Sequence, residues 1–178
     1  MGLHGPAFRN VPRGCEAENV FRRVEVDDWQ RLRDIRLRAL TTDPKAFLET
    51  AANARTFPDE LWRERARPSD SNITFVHELD GAFDGMVSAF VADDPETAYL
   101  VGMWVAPELR GSGVASGLVE CIIEWSRTQR RSRIVLSVEG DNGRAARLYE
   151  KCGFVELDEP PRLPYEPHPG NRFYDYRL

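Results

Sequence analysis

Residues 103–118 constrain the fold of this chain more than any other stretch. They read M-W-V-A-P-E-L-R-G-S-G-V-A-S-G-L, an apolar run that ends at a proline, followed by an arginine-glycine turn and an amphipathic segment. This pattern predicts a strand, a tight turn and the start of a helix. Because Gly111 and Gly113 carry no Cβ, successive backbone N–H groups can surround an anion at the positive end of the helix dipole. The sequence therefore predicts a phosphate-binding loop, with Arg110 adding a full positive charge beside it.

Two widespread phosphate-binding loops do not fit this stretch. The nucleotide-hydrolase loop G-x-x-x-x-G-K-[ST] needs a lysine after its last glycine, and no lysine follows a suitable glycine pair here. The dinucleotide fingerprint G-x-G-x-x-G needs a third glycine where Ser116 stands, and Gly117 comes one place late. The stretch does contain the pattern Arg-x-x-Gly-x-Ala, formed by Arg110, Gly113 and Ala115.

A second segment, N-G-R-A-A-R-L-Y-E-K-C-G-F, occupies residues 142–154. Together with Arg-x-x-Gly-x-Ala, it resembles the two coenzyme A segments of the GNAT superfamily of N-acetyltransferases, the second of which reads N-x-x-A-x-x-L-Y-x-K-x-G-F. The resemblance covers residues 100–154 by motif and residues 20–91 by element order alone. The residues of the second segment that fall in register are Asn142, Ala145, Leu148, Tyr149, Lys151, Gly153 and Phe154.

The resemblance implies that the protein is an N-acetyltransferase with acetyl-CoA as its cofactor. In such a site, backbone N–H groups at the end of the strand polarise the thioester carbonyl as its oxyanion develops. Tyr149 resembles the tyrosine that gives a proton to the departing sulfur, which makes it the predicted catalytic residue. The predicted cofactor-binding residues are Met103, Trp104, Val105, Arg110, Gly111, Ser112, Gly113, Val114, Ala115, Asn142, Ala145, Tyr149 and Lys151.

The rest of the chain predicts a mixed α/β sheet flanked by helices. Apolar and alternating runs predict strands at residues 20–26, 73–79, 85–91, 97–105, 134–138 and 173–176. Apolar spacing and end signals predict helices from Trp29 to before Pro44 and over residues 58–66, 113–130 and 142–151. The order β-α-α-β-β-β-α-β-α-β-β is the one that the GNAT fold requires. Residues 1–19 lack hydrophobic periodicity and are expected to form a flexible leader before a single domain at residues 20–178.

A proline-rich segment precedes the last predicted strand. Residues 158–171 contain five prolines, with Tyr165 and His168 among them, and so much proline stiffens a loop without pairing it into a sheet. In the family resembled, this loop and the connection between the first two helices wall the acceptor pocket. The resemblance therefore implies these acceptor-side residues: Phe47, Glu49, Phe57, Trp62, Tyr165 and His168.

Acetyl transfer to an amine also needs a route for a proton. An ammonium with a pKa near ~10.4 is mostly protonated at neutral pH, so a carboxylate or a water chain must assist. In the branch that acetylates ribosomal-protein N-termini, a glutamate stands five residues before the motif asparagine, where this chain has Ser137. Tyr99 stands on the preceding strand, where many relatives place a glutamate. The base therefore stays open between water and the carboxylates Glu49, Asp93, Glu96 and Glu139.

The predicted function is acetyl transfer to a primary amine of a small molecule, by direct attack in a ternary complex. Two alternatives stay open. A protein or peptide N-acetyltransferase would need an open acceptor groove, whereas the proline-rich loop is more typical of a lid. A non-catalytic acyl-CoA-binding sensor would explain the missing conventional base, but it would leave Tyr149 without a role.

Composition excludes several other classes of protein. The net charge of −5 argues against nucleic-acid binding and weakly favours a cationic acceptor by long-range steering. The longest apolar run, residues 99–106, is far too short to span a bilayer, and the first residues of the sequence lack the charged-then-apolar pattern of a signal peptide. Cys15, Cys121 and Cys152 are odd in number and lack ligand spacing, so neither a disulfide framework nor a metal site is predicted. We expect a soluble cytoplasmic protein without nucleic-acid or membrane partners, and the resemblance implies a homodimer.

Overall fold

One mixed sheet of seven strands runs through the part of the chain that the computed structural model describes, residues 19–178. The strands lie in the order β1-β2-β3-β4-β5-β7-β6, and all neighbours are antiparallel except β4 and β5. Their bounds are β1 Asn19–Arg23, β2 Asn72–Leu79, β3 Ala82–Val91, β4 Thr97–Val105, β5 Arg133–Val138, β6 Val155–Leu157 and β7 Arg172–Arg177.

Helices follow the order predicted from the sequence, with one addition. Their bounds are α1 Trp29–Thr42, α2 Ala51–Ala54, α3 Asp59–Ala66, α4 Val114–Thr128 and α5 Gly143–Lys151. The predicted mixed α/β fold is confirmed. The single turn α2 was not predicted, because its sequence A-A-N-A has no amphipathic period; it begins where the Thr50 hydroxyl accepts a hydrogen bond from the Asn53 N–H at 3.2 Å.

The helices cover both faces of the sheet, and each face has its own buried cluster. α1 and α3 pack on one face with Val76, Met86 and Trp104, whereas α4 and α5 pack on the other with Val87 and Leu136. Neighbouring residues of β3 thus point to opposite faces, and both faces are apolar because both are covered. Full burial of one large aliphatic side chain in these clusters stabilises the fold by about 2 kcal/mol.

A gap opens in the middle of the sheet, between its two parallel strands. β4 and β5 pair only through Thr97–Arg133, Ala98–Ile134 and Tyr99–Val135, although β4 runs on to Val105 and β5 to Val138. A bulge lies on the open part of β4, where Gly102 and Met103 together face the single residue Val87 of β3. Gly102 adopts φ +65°, a conformation that favours glycine. The gap and the bulge position the site described below.

Two predictions concern the ends and surroundings of this domain. The leader expected over residues 1–19 lies outside the described residues, except that Asn19 begins β1. The single domain at residues 20–178 stays a prediction.

None of the helices between residues 19 and 178 is long and apolar enough to cross a bilayer. In the same part of the chain, no three acidic, histidine or cysteine side chains come close enough to hold a metal ion.

Candidate active site

A cleft of about 390 Å³ opens where the end of β4, the turn before α4 and the face of α5 meet. It brings together most of the cofactor-binding residues predicted from the sequence. The exceptions are Val114, which is buried at the start of α4, Ser112, whose hydroxyl donates to the Leu109 carbonyl at 2.7 Å, and Tyr149. The predicted residues that line the cleft are Met103, Trp104, Val105, Arg110, Gly111, Gly113, Ala115, Asn142, Ala145 and Lys151.

The turn before α4 has the geometry of an anion cradle. Gly111 adopts φ +88° and Gly113 adopts φ +97°. A Cβ at either position would meet open space, so backbone conformation and not crowding is what requires glycine here. Gly113 is the N-cap of α4 and offers no side-chain acceptor. The first N–H groups of α4 are therefore left for a ligand, at the positive end of the helix dipole.

Asn142, the asparagine of the second motif, caps the start of α5. The Asn142 side chain accepts a hydrogen bond from the Ala145 N–H at 3.1 Å and so begins α5. The same helix then presents Arg144, Arg147 and Lys151 to the cleft. The sequence analysis did not select the two arginines, although their spacing with Lys151 on one helical face could have identified them. Their charges and the glycine turn suit a strongly anionic cofactor.

Arg110 points into the protein and fastens the turn to the end of α1. Its guanidinium forms an ion pair with Asp43 at 2.5 Å and donates to the Val105 carbonyl at 2.9 Å. The indole N–H of Trp104 donates to the same Asp43 oxygen at 2.8 Å. Arg110 lines the cleft, but the hydrogen bonds of its side chain go to Asp43 and Val105 and hold the loop in position.

Tyr149 lies in the core beside the cleft and does not line it. Its ring is 5% exposed and packs against Phe154 and Tyr174, with centroids 5.6 and 6.4 Å away. No hydrogen bond joins its hydroxyl to another residue in the described part of the chain. Burial raises the pKa of the Tyr149 phenol well above its ordinary value. The hydroxyl is therefore protonated at physiological pH.

A second cavity, of about 200 Å³, lies on the acceptor side of the gap. Its walls include Leu100, Val101 and Gly102 from β4, and Ser137 from β5, so it reaches both edges of the gap. It shares Ala46 with the cofactor cleft, and the two spaces therefore adjoin. Four of the predicted acceptor-side residues line it: Phe47, Glu49, Tyr165 and His168.

The proline-rich loop closes over this acceptor cavity. The Tyr165 hydroxyl lies 3.4 Å from the hydroxyl of Ser137, and His168 Nε2 lies 3.3 Å from the backbone oxygen of Phe47. Burial raises the pKa of the Tyr165 phenol, so its hydroxyl also stays protonated. The loop thus contacts β5 on one side and the segment after α1 on the other.

Trp62 and Phe57 lie outside the acceptor cavity. Trp62 is 1% exposed, and Phe57 packs against it with centroids 6.1 Å apart. Trp62 lines a neighbouring groove of about 740 Å³ between α1, α3 and the sheet. The groove and the acceptor cavity share Arg36, Val101 and Gly102 and are therefore continuous.

The structure separates the four carboxylates that the sequence left open as bases. Glu139 and Glu49 line the acceptor cavity, whereas Asp93 lies in a different pocket. Glu96 stands before the paired start of β4 and accepts a hydrogen bond from the Ser132 hydroxyl at 3.0 Å. Burial on its own would raise the pKa of the Glu49 carboxyl, but two arginines that contact it hold that pKa below its ordinary value.

Those arginines, Arg36 on α1 and Arg65 on α3, were not selected from the sequence. Arg36 Nε lies 3.3 Å from Glu49 Oε2, while Arg65 Nη1 and Nη2 lie 3.3 and 3.0 Å from Glu49 Oε2 and Oε1. No sequence signal marks them, because the chain has many arginines and only tertiary packing unites these three side chains.

Curated proteins of similar sequence include two named as acetyltransferases and one named as a synthetase of an N-acetyl compound. The L-amino acid N-acetyltransferase AaaT of Escherichia coli is 28% identical over 78% of this chain and 83% of its own length. The mycothiol acetyltransferase of Beutenbergia cavernae is 30% identical over 65% of this chain and 43% of its own length. Human N-acetylaspartate synthetase is 32% identical over 64% of this chain and 36% of its own length. This chain thus spans less than half the length of the last two.

Solved structures of similar fold agree. A GNAT-family acetyltransferase from Streptococcus pneumoniae superposes with a TM-score of 0.69 at 22% identity, over 90% of this chain and 100% of that one. The paia N-acetyltransferase of Thermoplasma acidophilum, solved in complex with coenzyme A, gives 0.71 at 12% identity over 90% and 99%. YncA of Salmonella typhimurium, solved with its cofactor acetyl-CoA, gives 0.67 at 22% identity over 90% and 94%.

The acetyltransferase (GNAT) family matches residues 29–154, which make up most of this chain. That match includes α1 through α5, both segments from which the coenzyme A site was predicted, and the whole open edge of β4. The protein therefore belongs to the acetyltransferase (GNAT) family.

Proposed function

We propose that this protein transfers the acetyl group of acetyl-CoA to a primary amine of a small molecule. It is an acetyltransferase, and acetyl-CoA is its cofactor, as the sequence predicted. One observation carries the choice of direct transfer: the acceptor cavity and the cofactor cleft lie against consecutive stretches of β4, residues 100–102 and 103–105, and share Ala46. Neither space is lined by a cysteine of the described chain, so no thiol is placed to carry the acetyl group between them.

The residues of the cleft fit the cofactor by charge and by shape. The glycine turn and the first N–H groups of α4 would hold its phosphates, with Arg144, Arg147 and Lys151 adding positive charge. When bound, acetyl-CoA supplies a thioester, whose carbonyl carbon is the electrophile. The open edge of β4 at Met103, Trp104 and Val105 would offer backbone N–H groups to the developing oxyanion.

Two side chains are proposed to move protons. Tyr149 keeps its phenolic proton because of burial, and we assign it the role of giving that proton to the leaving sulfur. Glu139 lines the acceptor cavity and is the carboxylate proposed to take a proton from the amine, directly or through water. Glu49 is unsuited to that role, because two arginines already occupy its oxygens and favour its ionised form.

A small acceptor is favoured over a peptide. The contacts of Tyr165 and His168 close the loop over the cavity, whose volume of about 200 Å³ suits a small molecule. The names of the curated relatives, which refer to amino acids, mycothiol and N-acetylaspartate, also support small acceptors. The adjoining groove is the one feature that favours a longer acceptor, so peptides belong in the test.

The test is the release of free coenzyme A thiol from acetyl-CoA across a panel of acceptors. The panel contains amino acids, polyamines, aminoglycosides and peptides with free N-termini, together with a blank that lacks an acceptor. We expect saturable turnover on one class of small amine. Preference for peptides would replace the proposed substrate class, and tight acetyl-CoA binding without any turnover would favour the sensor.

A further inference from the structure

Arg36, Glu49 and Arg65 form a half-buried cluster with an excess of positive charge. The Glu49 side chain is 14% exposed and the Arg36 side chain 20%, and the two guanidinium groups share this one carboxylate. Burial lowers the pKa of the Arg36 guanidinium, but an arginine keeps its charge in proteins. A charge held away from water without a full counter-charge is costly unless a ligand supplies one.

A second arginine cluster in the same chain shows what a purely structural arrangement looks like. Arg22 and Arg31 each bind both Asp28 and Glu78, at distances from 2.6 to 3.4 Å. That cluster contains two positive and two negative groups, and its four side chains line neither the acceptor cavity nor the groove. The Arg36 cluster differs on both counts, since it lacks the second carboxylate and it lies against both spaces.

The free donors of Arg36 lie at the wall of the acceptor cavity, beside the bulge of β4. Only its Nε donates to Glu49; within residues 19–178, neither terminal nitrogen makes a hydrogen bond. Its Nη1 lies 3.2 Å from the point that a Cβ on Gly102 would occupy, beside the bulge at the gap. The Phe47 ring lies 4.5 Å from its guanidinium carbon and fixes its plane. The guanidinium is therefore preorganised, with both terminal nitrogens and their four N–H donors left over.

We propose that Arg36 binds a carboxylate of the acceptor, so that the substrate is an amino carboxylic acid. This inference rests on the proposed function and specifies its substrate class. A guanidinium fork matches the two oxygens of a carboxylate, and an acid bound there would complete the charge balance that Glu49 leaves unfinished. Arg36 then selects the substrate, while Arg65 holds Glu49 in place. The overall acidity of the chain acts only at long range, whereas Arg36 would meet the carboxylate of an acceptor by direct hydrogen bonds.

The experiment compares each amino acid that is acetylated with its own α-amide, which has the same side chain and amine but no carboxylate. The quantity measured is the ratio of kcat/KM for acid over amide. For the wild type we expect a ratio of about 10²-fold or more, because an amide leaves the charged donors of Arg36 without their partner. This comparison is conservative, since the amine of an amide is less protonated at neutral pH and so more reactive.

Arg36→Gln should lower the ratio to near unity by lowering kcat/KM for the acid, and Arg36→Lys should retain part of the preference. Arg33→Gln is the matched control and should leave the ratio unchanged, because Arg33 is a partly exposed arginine of the same helix that lines neither the acceptor cavity nor the groove. Should Arg36→Gln fail to fold by circular dichroism, Arg36→Lys still decides, because its ratio must fall below that of the wild type. Equal rates with acid and amide in the wild type would overturn the proposal.

A binding readout keeps this inference separate from the proposed function. The acid and the amide are titrated calorimetrically into protein saturated with coenzyme A, which requires no turnover. Binding of the acid but not the amide, lost in Arg36→Gln, would support the carboxylate site even if no acetyl transfer were detected. Equal binding of both would overturn it, even if acetyl transfer to other amines proceeded and the proposed function held.

Discussion

Tyr149 is a core residue to which we also assign a proton transfer in the proposed reaction. Its ring is packed between Phe154 and Tyr174, and the same burial that stabilises the fold keeps its phenol protonated. A protonated donor beside the leaving sulfur is what thiolate departure needs. Burial therefore supplies the protonation state that the proposed role needs, although the residue does not line the cleft.

Tyr149→Phe keeps the ring and removes only the hydroxyl. We expect kcat to fall about 10²-fold while the affinity for acetyl-CoA stays within a factor of about 2. Steady-state kinetics and a binding titration measure the two quantities. Tyr174→Phe is the control, because it removes a hydroxyl from a fully buried neighbour. An unchanged kcat in Tyr149→Phe would remove this residue from the proton route.

Asp43 is the second residue with a measurable consequence. Asp43→Ala removes the acceptor shared by Arg110 and Trp104 and should lower the free energy of unfolding by about 2 kcal/mol. The KM for acetyl-CoA should rise as well, because the turn loses its attachment to α1. Urea titrations measure the first effect. Asp34→Ala, at an exposed carboxylate of the same helix, should change the free energy of unfolding by less than about 0.5 kcal/mol.

The turn before α4 is an element whose conformation and function can be separated. Gly113→Ala places a Cβ in open space at φ +97°, so it should cost about 1 kcal/mol in backbone strain and misalign the N–H groups of the cradle. Gly81→Ala is matched to it, because Gly81 has φ +80° and open space but lies in the turn between β2 and β3.

We therefore expect both glycine variants to lose similar stability and only Gly113→Ala to bind coenzyme A more weakly. Urea unfolding and calorimetric titration give the two numbers for each protein. If Gly81→Ala weakened coenzyme A binding as much as Gly113→Ala, the cradle would have no special role.

Elements with a strong local signal were the ones predictable from sequence. β4 was predicted with its observed bounds, and α5 was predicted over residues 142–151, one residue longer at its start than observed, because periodicity and end signals depend on consecutive residues. The inward turn of Arg110 and the pairing of Arg36 with Glu49 were not predictable, because both depend on residues far apart in the chain. The predicted acceptor-side residues Phe47, Glu49, Tyr165 and His168 line one cavity, whereas Trp62 lines the neighbouring groove, and their role in binding an acceptor stays a prediction.

At the scale of the whole molecule, the arginine clusters make stability depend on pH. The hydrogen bond from Arg22 lowers the pKa of Asp28. Burial works in the opposite direction for Glu49 and Glu78, but their arginine partners still lower the pKa of each. A carboxyl whose pKa is lower in the folded state stabilises the fold above its ordinary pKa of 3.8 or 4.5, and this stabilisation is lost as pH falls through the folded value.

The free energy of unfolding should therefore decline below pH ~4.5. A separate decline begins below pH 6.5, because burial lowers the pKa of the His77 imidazole in the folded state and the unfolded chain takes up that proton first. Urea titrations at each pH measure it. Glu49→Gln, which cannot titrate at that position, should show a shallower decline. A free energy that stayed level down to pH ~3 would contradict this account.

The homodimer also stays a prediction, and sedimentation equilibrium would measure the oligomeric state.

The gap in the sheet has a mechanical meaning. Three residue pairs join β4 to β5, and beyond them the facing backbone edges have no strand to bond with. An extended ligand bound in the gap would take the place of the missing strand pairing. Its binding free energy would then add to the stability of the folded sheet. In the proposed mode of binding, a substitution that weakens the contact between the two halves of the sheet would also lower the affinity for the cofactor. The bound cofactor would in turn stabilise the sheet.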